Sequence, residues 1–161
     1  MNFTSSRRIA QGCGFFFFLA LSLAAPACSD DAPGEEPFFD AAEVTASWPE
    51  VRNCRYSIEH DLVNIVVYAS PGAETAYTEG TYPFPEGTVV VKAEHDDSSC
   101  GELVGFTAMR KLAPGTAPDD GDWEWQQVDA SGKVLSSGSL PRCVMCHQGC
   151  TNGRDFTCTD P

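Results

Sequence analysis

Positive charge is what this sequence has least of. Ten Lys and Arg stand against 23 Asp and Glu in 161 residues. Two of the ten, Arg7 and Arg8, fall in an N-terminal stretch that reads as a leader, leaving eight basic against 23 acidic residues, a net charge of −15. Nucleic acid and anionic headgroups need a basic patch to displace counterions. Neither is expected as a partner, and contact with a membrane is expected only through a lipid anchor. No apolar run reaches the roughly 20 residues of a membrane-spanning helix. Histidine and methionine are scarce, with three of each, so few side chains can ligate a metal. Cysteine is the exception. Eight in a chain this short point to an oxidising compartment unless they hold metal. At 42% hydrophobic and 20% charged, the composition suits one globular domain rather than a disordered chain.

Residues 1–27 read as a signal peptide: a basic start at Arg7 and Arg8, an apolar run from Gly14 through Ala25, then small residues before Cys28. Two cleavage readings meet at that bond. Ala25 and Ala27 satisfy the small-x-small rule of ordinary secretion, while Cys28 followed by Ser29 and two aspartates resembles a lipoprotein start, with Cys28 as lipid anchor. The lipoprotein reading is preferred, and it places the mature chain on the periplasmic face of a bacterial membrane; the other places it free in the periplasm or secreted. Residues 28–37, acidic with Pro and Gly, suit a flexible tether. The domain is expected over 38–161.

Within it, Leu62 to Ala69 is a β-branched apolar run that stops at Ser70-Pro71-Gly72, a strand ending at a turn. Ser70 and Pro71 suit the start of a short helix through Tyr77. Further strands are expected at Thr88–Ala93, Leu103–Leu112 and Asp122–Val128, the last placing Trp123 and Trp125 on one face. A hairpin over Ala130–Lys133 leads into Val134 and Leu135. The last twenty or so residues read as irregular. The expectation is an α+β domain, mainly antiparallel β-sheet with one or two short helices.

The chemistry concentrates near the C-terminus. Cys143-Val144-Met145-Cys146-His147 fits Cys-x-x-Cys-His, the attachment signature of c-type haem. Two thiols at this spacing reach two vinyl groups on one porphyrin edge, and the adjacent His147 ligates the iron. One covalently bound haem is therefore expected. Two other readings exist: a redox-active dithiol, which usually opens a helix in a βαβ context, or a zinc cluster of Cys143, Cys146, His147 and Cys150 with Cys158 nearby. A disulfide-stapled lipoprotein without haem belongs with the latter. Under the haem reading Cys54, Cys100, Cys150 and Cys158 remain and allow three pairings. Cys54–Cys100 with the short Cys150–Cys158 loop is favoured.

In order along the chain, Phe84-Pro85-Glu86-Gly87-Thr88-Val89-Val90-Val91-Lys92, Phe106-Thr107-Ala108-Met109-Arg110-Lys111, Gly121-Asp122-Trp123-Glu124-Trp125, the haem motif and Asp155-Phe156-Thr157 resemble the landmarks of the cytochrome P-460 family. The resemblance runs from about Leu62 to Thr157. It implies a small β-rich periplasmic c-type cytochrome, commonly a homodimer, with a proximal histidine and an open distal face. Some members oxidise hydroxylamine, while the related cytochromes c′-beta bind nitric oxide and other diatomic gases. In the hydroxylamine-oxidising members a lysine after the Gly-Thr-Val-x-Val stretch is bonded to a haem meso carbon, and Lys92 holds that place here; such a link tunes the iron. An ordinary solubilising lysine is the plainer reading.

The family's acidic proton acceptor is not placed by the motif; Glu94, with Lys92's parity on its strand, is a candidate, though an exposed carboxylate is the commoner fate in so acidic a chain. Phe84, Phe106, Trp123 and Trp125 are candidates for the pocket wall, or plain core. For a sixth ligand only His60, His95, Met109 and Met145 are at hand. Met145 lies inside the motif and His95 has the wrong parity, so a five-coordinate iron is expected. The resulting function is binding, with oxidation, of a small nitrogen species or diatomic gas, electrons passing to another periplasmic cytochrome. The alternative is a non-catalytic electron carrier or gas sensor.

Overall fold

The computed structural model describes residues 34–158. The leader, Cys28 and the tether up to residue 33 lie outside the described residues, as do residues 159–161. Six strands form one antiparallel sheet in sequence order: β1 (Glu50–Ser57), β2 (Val63–Ala69), β3 (Val89–His95), β4 (Leu103–Lys111), β5 (Trp123–Asp129) and β6 (Val134–Gly138). Every strand pairs with its sequence neighbour, although residues 70–88, which include a helix, separate β2 from β3. Around the sheet lie α1 (Ala41–Ser47), α2 (Glu74–Glu79), α3 (Pro141–His147) and α4 (Thr151–Arg154), with two 3-10 turns. The expected fold class, α+β with a mainly antiparallel sheet, is what the chain adopts, with four short helices where one or two were expected.

Two elements carried no apolar signal. β1 is an edge strand that buries only Val51 and Ser57, so its sequence, rich in Arg and Asn, shows no alternation. α1 buries only Val44; Asp40 caps it, its carboxylate accepting from the amides of Ala42 and Glu43 at 2.8 and 3.0 Å. Two expectations are overturned. α2 opens at Glu74 with Ala73 at its N-cap rather than at Ser70 and Pro71, and the Ser70 hydroxyl instead accepts from the Val89 amide. The segment bearing the Cys-x-x-Cys-His motif is not irregular but the helix α3, opened by Pro141, whose missing N–H costs nothing at that position.

Strand alternation divides the side chains between two faces. One face packs Ile65, Val67, Val90, Met109, Trp123 and Trp125 against α2 and α3. The other packs Val91, Ala93, Phe106, Ala108 and Val128 against Val44 and Phe39. Gln126, fully buried, donates to the carbonyl of Glu36 and accepts from the amide of Phe38, tying the first described residues to this second face.

Two disulfides join the expected partners. Cys54 on β1 bonds Cys100 in the β3–β4 turn, and Cys150 bonds Cys158. In the chain-entropy model the longer loop contributes about 4 kcal/mol and the shorter about 2.5 kcal/mol.

Candidate functional site

α3 runs along the first face with its core side turned by Val144, which is buried among Trp125 and its neighbours. Residues three and four apart share a side of a helix. Cys143 therefore lies near both Cys146 and His147. These two thiols are the free cysteines among the described residues, one half-buried and one exposed. Burial pushes the Cys143 thiol up despite the lowering pull of Arg142 and Lys92. A redox-active dithiol needs the opposite shift, and the sheet holds no βαβ unit. Zinc fares no better, because Cys150 and Cys158 are bonded to each other and no metal-holding group of His, Cys, Asp and Glu occurs among the described residues.

His147 is buried, its ring edge-on to Trp125 at 6.1 Å. Its Nδ1 lies 2.6 Å from the carbonyl oxygen of Phe156. A carbonyl only accepts, so Nδ1 carries the proton and Nε2 keeps its lone pair. Burial, reinforced by the nearby Lys92 charge, holds the imidazole down to about 4, so the ring is neutral at physiological pH. A neutral histidine whose second nitrogen is tied to a backbone carbonyl is the arrangement of a metal ligand.

The Phe156 carbonyl is itself fixed. Lys111, at the end of β4, donates to both carboxylate oxygens of Asp155 at 2.6 and 2.8 Å and to the Gly121 carbonyl at 2.7 Å. Asp155 also accepts from the Phe84 amide, and its carbonyl accepts from the Trp123 indole. The Phe156 ring lies so close to Gly121 that an added Cβ there would come within 2.1 Å of it. Only glycine fits.

Beside α3 opens a cavity of about 510 Å³, within the size range of small-molecule and cofactor sites, lined by His60, Lys92, Glu94, Thr107, Cys143 and His147 among others. A narrow annex lined by Val90, Met109 and Trp125 shares His60, Lys92 and His147 with it. The β-ladder places the polar wall: Lys92 on β3 pairs with Thr107 on β4, and Glu94, two residues on, projects from the same face. His60 arrives from the β1–β2 loop. Its Nε2 accepts from Lys92 Nζ at 2.7 Å, and its Nδ1 lies 3.2 Å from Glu94 Oε1, to which Thr107 Oγ1 donates at 3.0 Å. Burial drives the Lys92 amine down to about 8, against the raising pull of Glu94 and Glu59.

The structure thus brings Lys92, Glu94, Cys143, Cys146 and His147 to one cavity. It does not bring the two phenylalanines. Phe84 packs edge-on against Trp123 at 5.6 Å in the core, and Phe106 points to the opposite face against Phe39. Trp125 alone of the four aromatics lines the site. Of the spare ligands, Met145 is 73% exposed, Met109 faces the annex, and His95 is buried on the far face with Nδ1 unpartnered. His60 is the residue that sequence reasoning left unplaced. With β1 unseen, nothing in the sequence told which way its loop would turn.

A meander sheet that sets a Cys-x-x-Cys-His helix beside a cavity, with both thiols free and a neutral imidazole keeping one nitrogen available, defines a haem-carrying protein. Residues 47–159 match the family model Cytochrome P460, and the chain belongs to the cytochrome P460 family. It is a haem protein of that type. No curated protein matches the sequence.

Proposed function

We propose that this chain is an exported c-type cytochrome that binds and oxidises small nitrogen species, such as hydroxylamine or nitric oxide. Cys143 and Cys146 would bind one haem through thioether bonds, and His147 would ligate its iron through Nε2. Bound there, the haem supplies an iron centre able to accept electrons from the substrate and release them to a periplasmic cytochrome. The observation that carries the reading is the linked set Lys92, His60, Glu94 and Thr107 on the wall of the same cavity. A gas carrier needs only an apolar pocket; oxidation of hydroxylamine releases protons and needs acceptors. Glu94, to which Thr107 donates, would take a proton from a substrate N–H or O–H, with His60 linking it to Lys92. Lys92, with its amine pushed toward the neutral form, is the residue for a haem cross-link.

The periplasmic setting, a lipid anchor at Cys28, pairing of two copies and a basic redox partner for this acidic surface belong to the same proposal. A second reading, an electron carrier or gas sensor, draws on His60, which lines the cavity and would offer a second axial nitrogen once its Nε2 parted from Lys92.

The test is the ferrous absorption spectrum of protein matured by a cytochrome c assembly system, beside Lys92→Ala. A red-shifted Soret band that Lys92→Ala abolishes, with hydroxylamine turnover to an artificial acceptor lost in the variant, is the expected result. An ordinary c-type spectrum in both forms moves the reading to carrier or sensor. Absence of covalent haem overturns the proposal.

A further inference from the structure

We infer that Lys111 and Asp155 are positioning residues for the axial ligand: their buried pairing aims the Phe156 carbonyl at His147 Nδ1 and so sets how strongly the imidazole donates to the iron. The inference rests on His147 as that ligand. Three independent observations carry it. First, the chain reaches the carbonyl through an unfavourable backbone. Asp155 and Phe156 both stand in the left-handed region, at φ 46° and 66°, and for phenylalanine this is a genuine outlier. Strain of this kind persists only where the surroundings over-determine it. Second, the surroundings do. The Asp155 carboxylate is held by Lys111 and the Phe84 amide, its carbonyl by Trp123 Nε1, the Phe156 ring by the notch at Gly121, and Cys158 by its disulfide to Cys150. Third, the one polar atom this turn delivers to the site is the Phe156 oxygen, at 2.6 Å from Nδ1.

A hydrogen bond at the distal nitrogen of an axial imidazole raises the ligand's basicity and fixes its ring. Lys111 and Asp155 touch neither ligand nor iron; their influence passes through the carbonyl. The charge pair is buried, with side-chain exposures of 8% and 11%. Removing both charges together avoids stranding one of them.

The experiment compares wild-type holoprotein with Lys111→Met combined with Asp155→Asn. Covalent haem content is read first, then the ferrous iron–imidazole stretching frequency and the midpoint potential. Loosening the carbonyl is expected to lower the stretching frequency and raise the potential at unchanged haem content. Trp123→Phe removes the indole N–H that holds the Asp155 carbonyl, leaves both charges in place, and serves should the double variant not fold; the same shifts are expected. Haem-loaded variants with wild-type frequency and potential overturn the inference. Wild-type protein without covalent haem instead overturns the function proposed above, so the two failures are distinguishable.

Discussion

Two turns meet residues of the cavity, and both are made of adjacent non-glycine residues in the left-handed region: Asp61 and Leu62 before β2, and Asp155 and Phe156 near the C-terminus. Such a conformation costs about 1–2 kcal/mol per residue. The means of compensation differ. The C-terminal turn is tied down by a buried ion pair, a disulfide and a ring in the core. In the other turn the His60 ring is held by Lys92 and Glu94, but Leu62 is exposed and Asp61 meets only Arg142, both of those side chains being more than 60% exposed. The first turn serves the residue that would hold the iron, which must not move. The second carries His60, which would meet whatever enters. Restraint is heavier beside His147 than at Asp61 and Leu62, whose side chains are exposed.

The comparison breaks most decisively at Asp155. Truncating it leaves Lys111 buried with no countercharge and frees the Phe84 amide. Asp155→Ala is expected to cost about 3–5 kcal/mol, the usual penalty for an orphaned buried charge, read as a fall in the urea midpoint. A loss no greater than that from an exposed carboxylate would mean that the pair is not what restrains this turn.

The cavity wall supplies the next test, with opposite sign. Lys92 titrates at about 8 in the folded chain and near 10.5 when unfolded. Between those values the unfolded chain binds more protons, so stability rises with pH across the window. Below about 8 the charged amine is a standing cost. In haem-free protein the gain from pH 7.5 to 10 attributable to this group is at most about 3 kcal/mol. Urea midpoints should therefore rise with pH more steeply in wild type than in Lys92→Met. Parallel slopes would show that Lys92 is solvated as an ordinary surface lysine. The polar wall thus lowers stability while the proximal turn supplies it.

How much of this was legible in the sequence follows from where the signal resides. β2 to β6 are written in alternating or β-branched apolar runs, and each strand begins within one residue of its expected position. The haem motif is read from cysteine spacing, and of the three pairings that the cysteine count allowed, the favoured one is the one that forms. The β1 edge strand and α1 bury too few side chains to impose a pattern, and α3 is too short to show a period. The parity of β3 placed Lys92 and Glu94 on one side and His95 on the other, as the structure has them. The same parity argument applied to β4 would have excluded Phe106, which alternates with Thr107. His60 was beyond reach, since a loop's direction is set by both strands it joins. Lys111 and Asp155 sit 44 residues apart; both stood in landmark stretches, but nothing in the sequence paired them.

The smallest effect belongs to the Arg142–Asp61 contact. An exposed ion pair is worth little to stability because solvent screens it and two long side chains must be held in place, so Arg142→Ala should leave the urea midpoint unchanged. Its consequence is local. Arg142 lies on α3 next to Cys143, and Asp61 follows His60, so the contact ties α3 to the loop carrying His60. Without it, amide hydrogen exchange should quicken across residues 58–62 and stay at the wild-type rate across residues 155–157. Nitric oxide association with the reduced holoprotein should quicken as well, because the loop that narrows the cavity opens more often. Equal protection of both turns in the variant would mean that the two are restrained alike, and that restraint is not heavier beside His147.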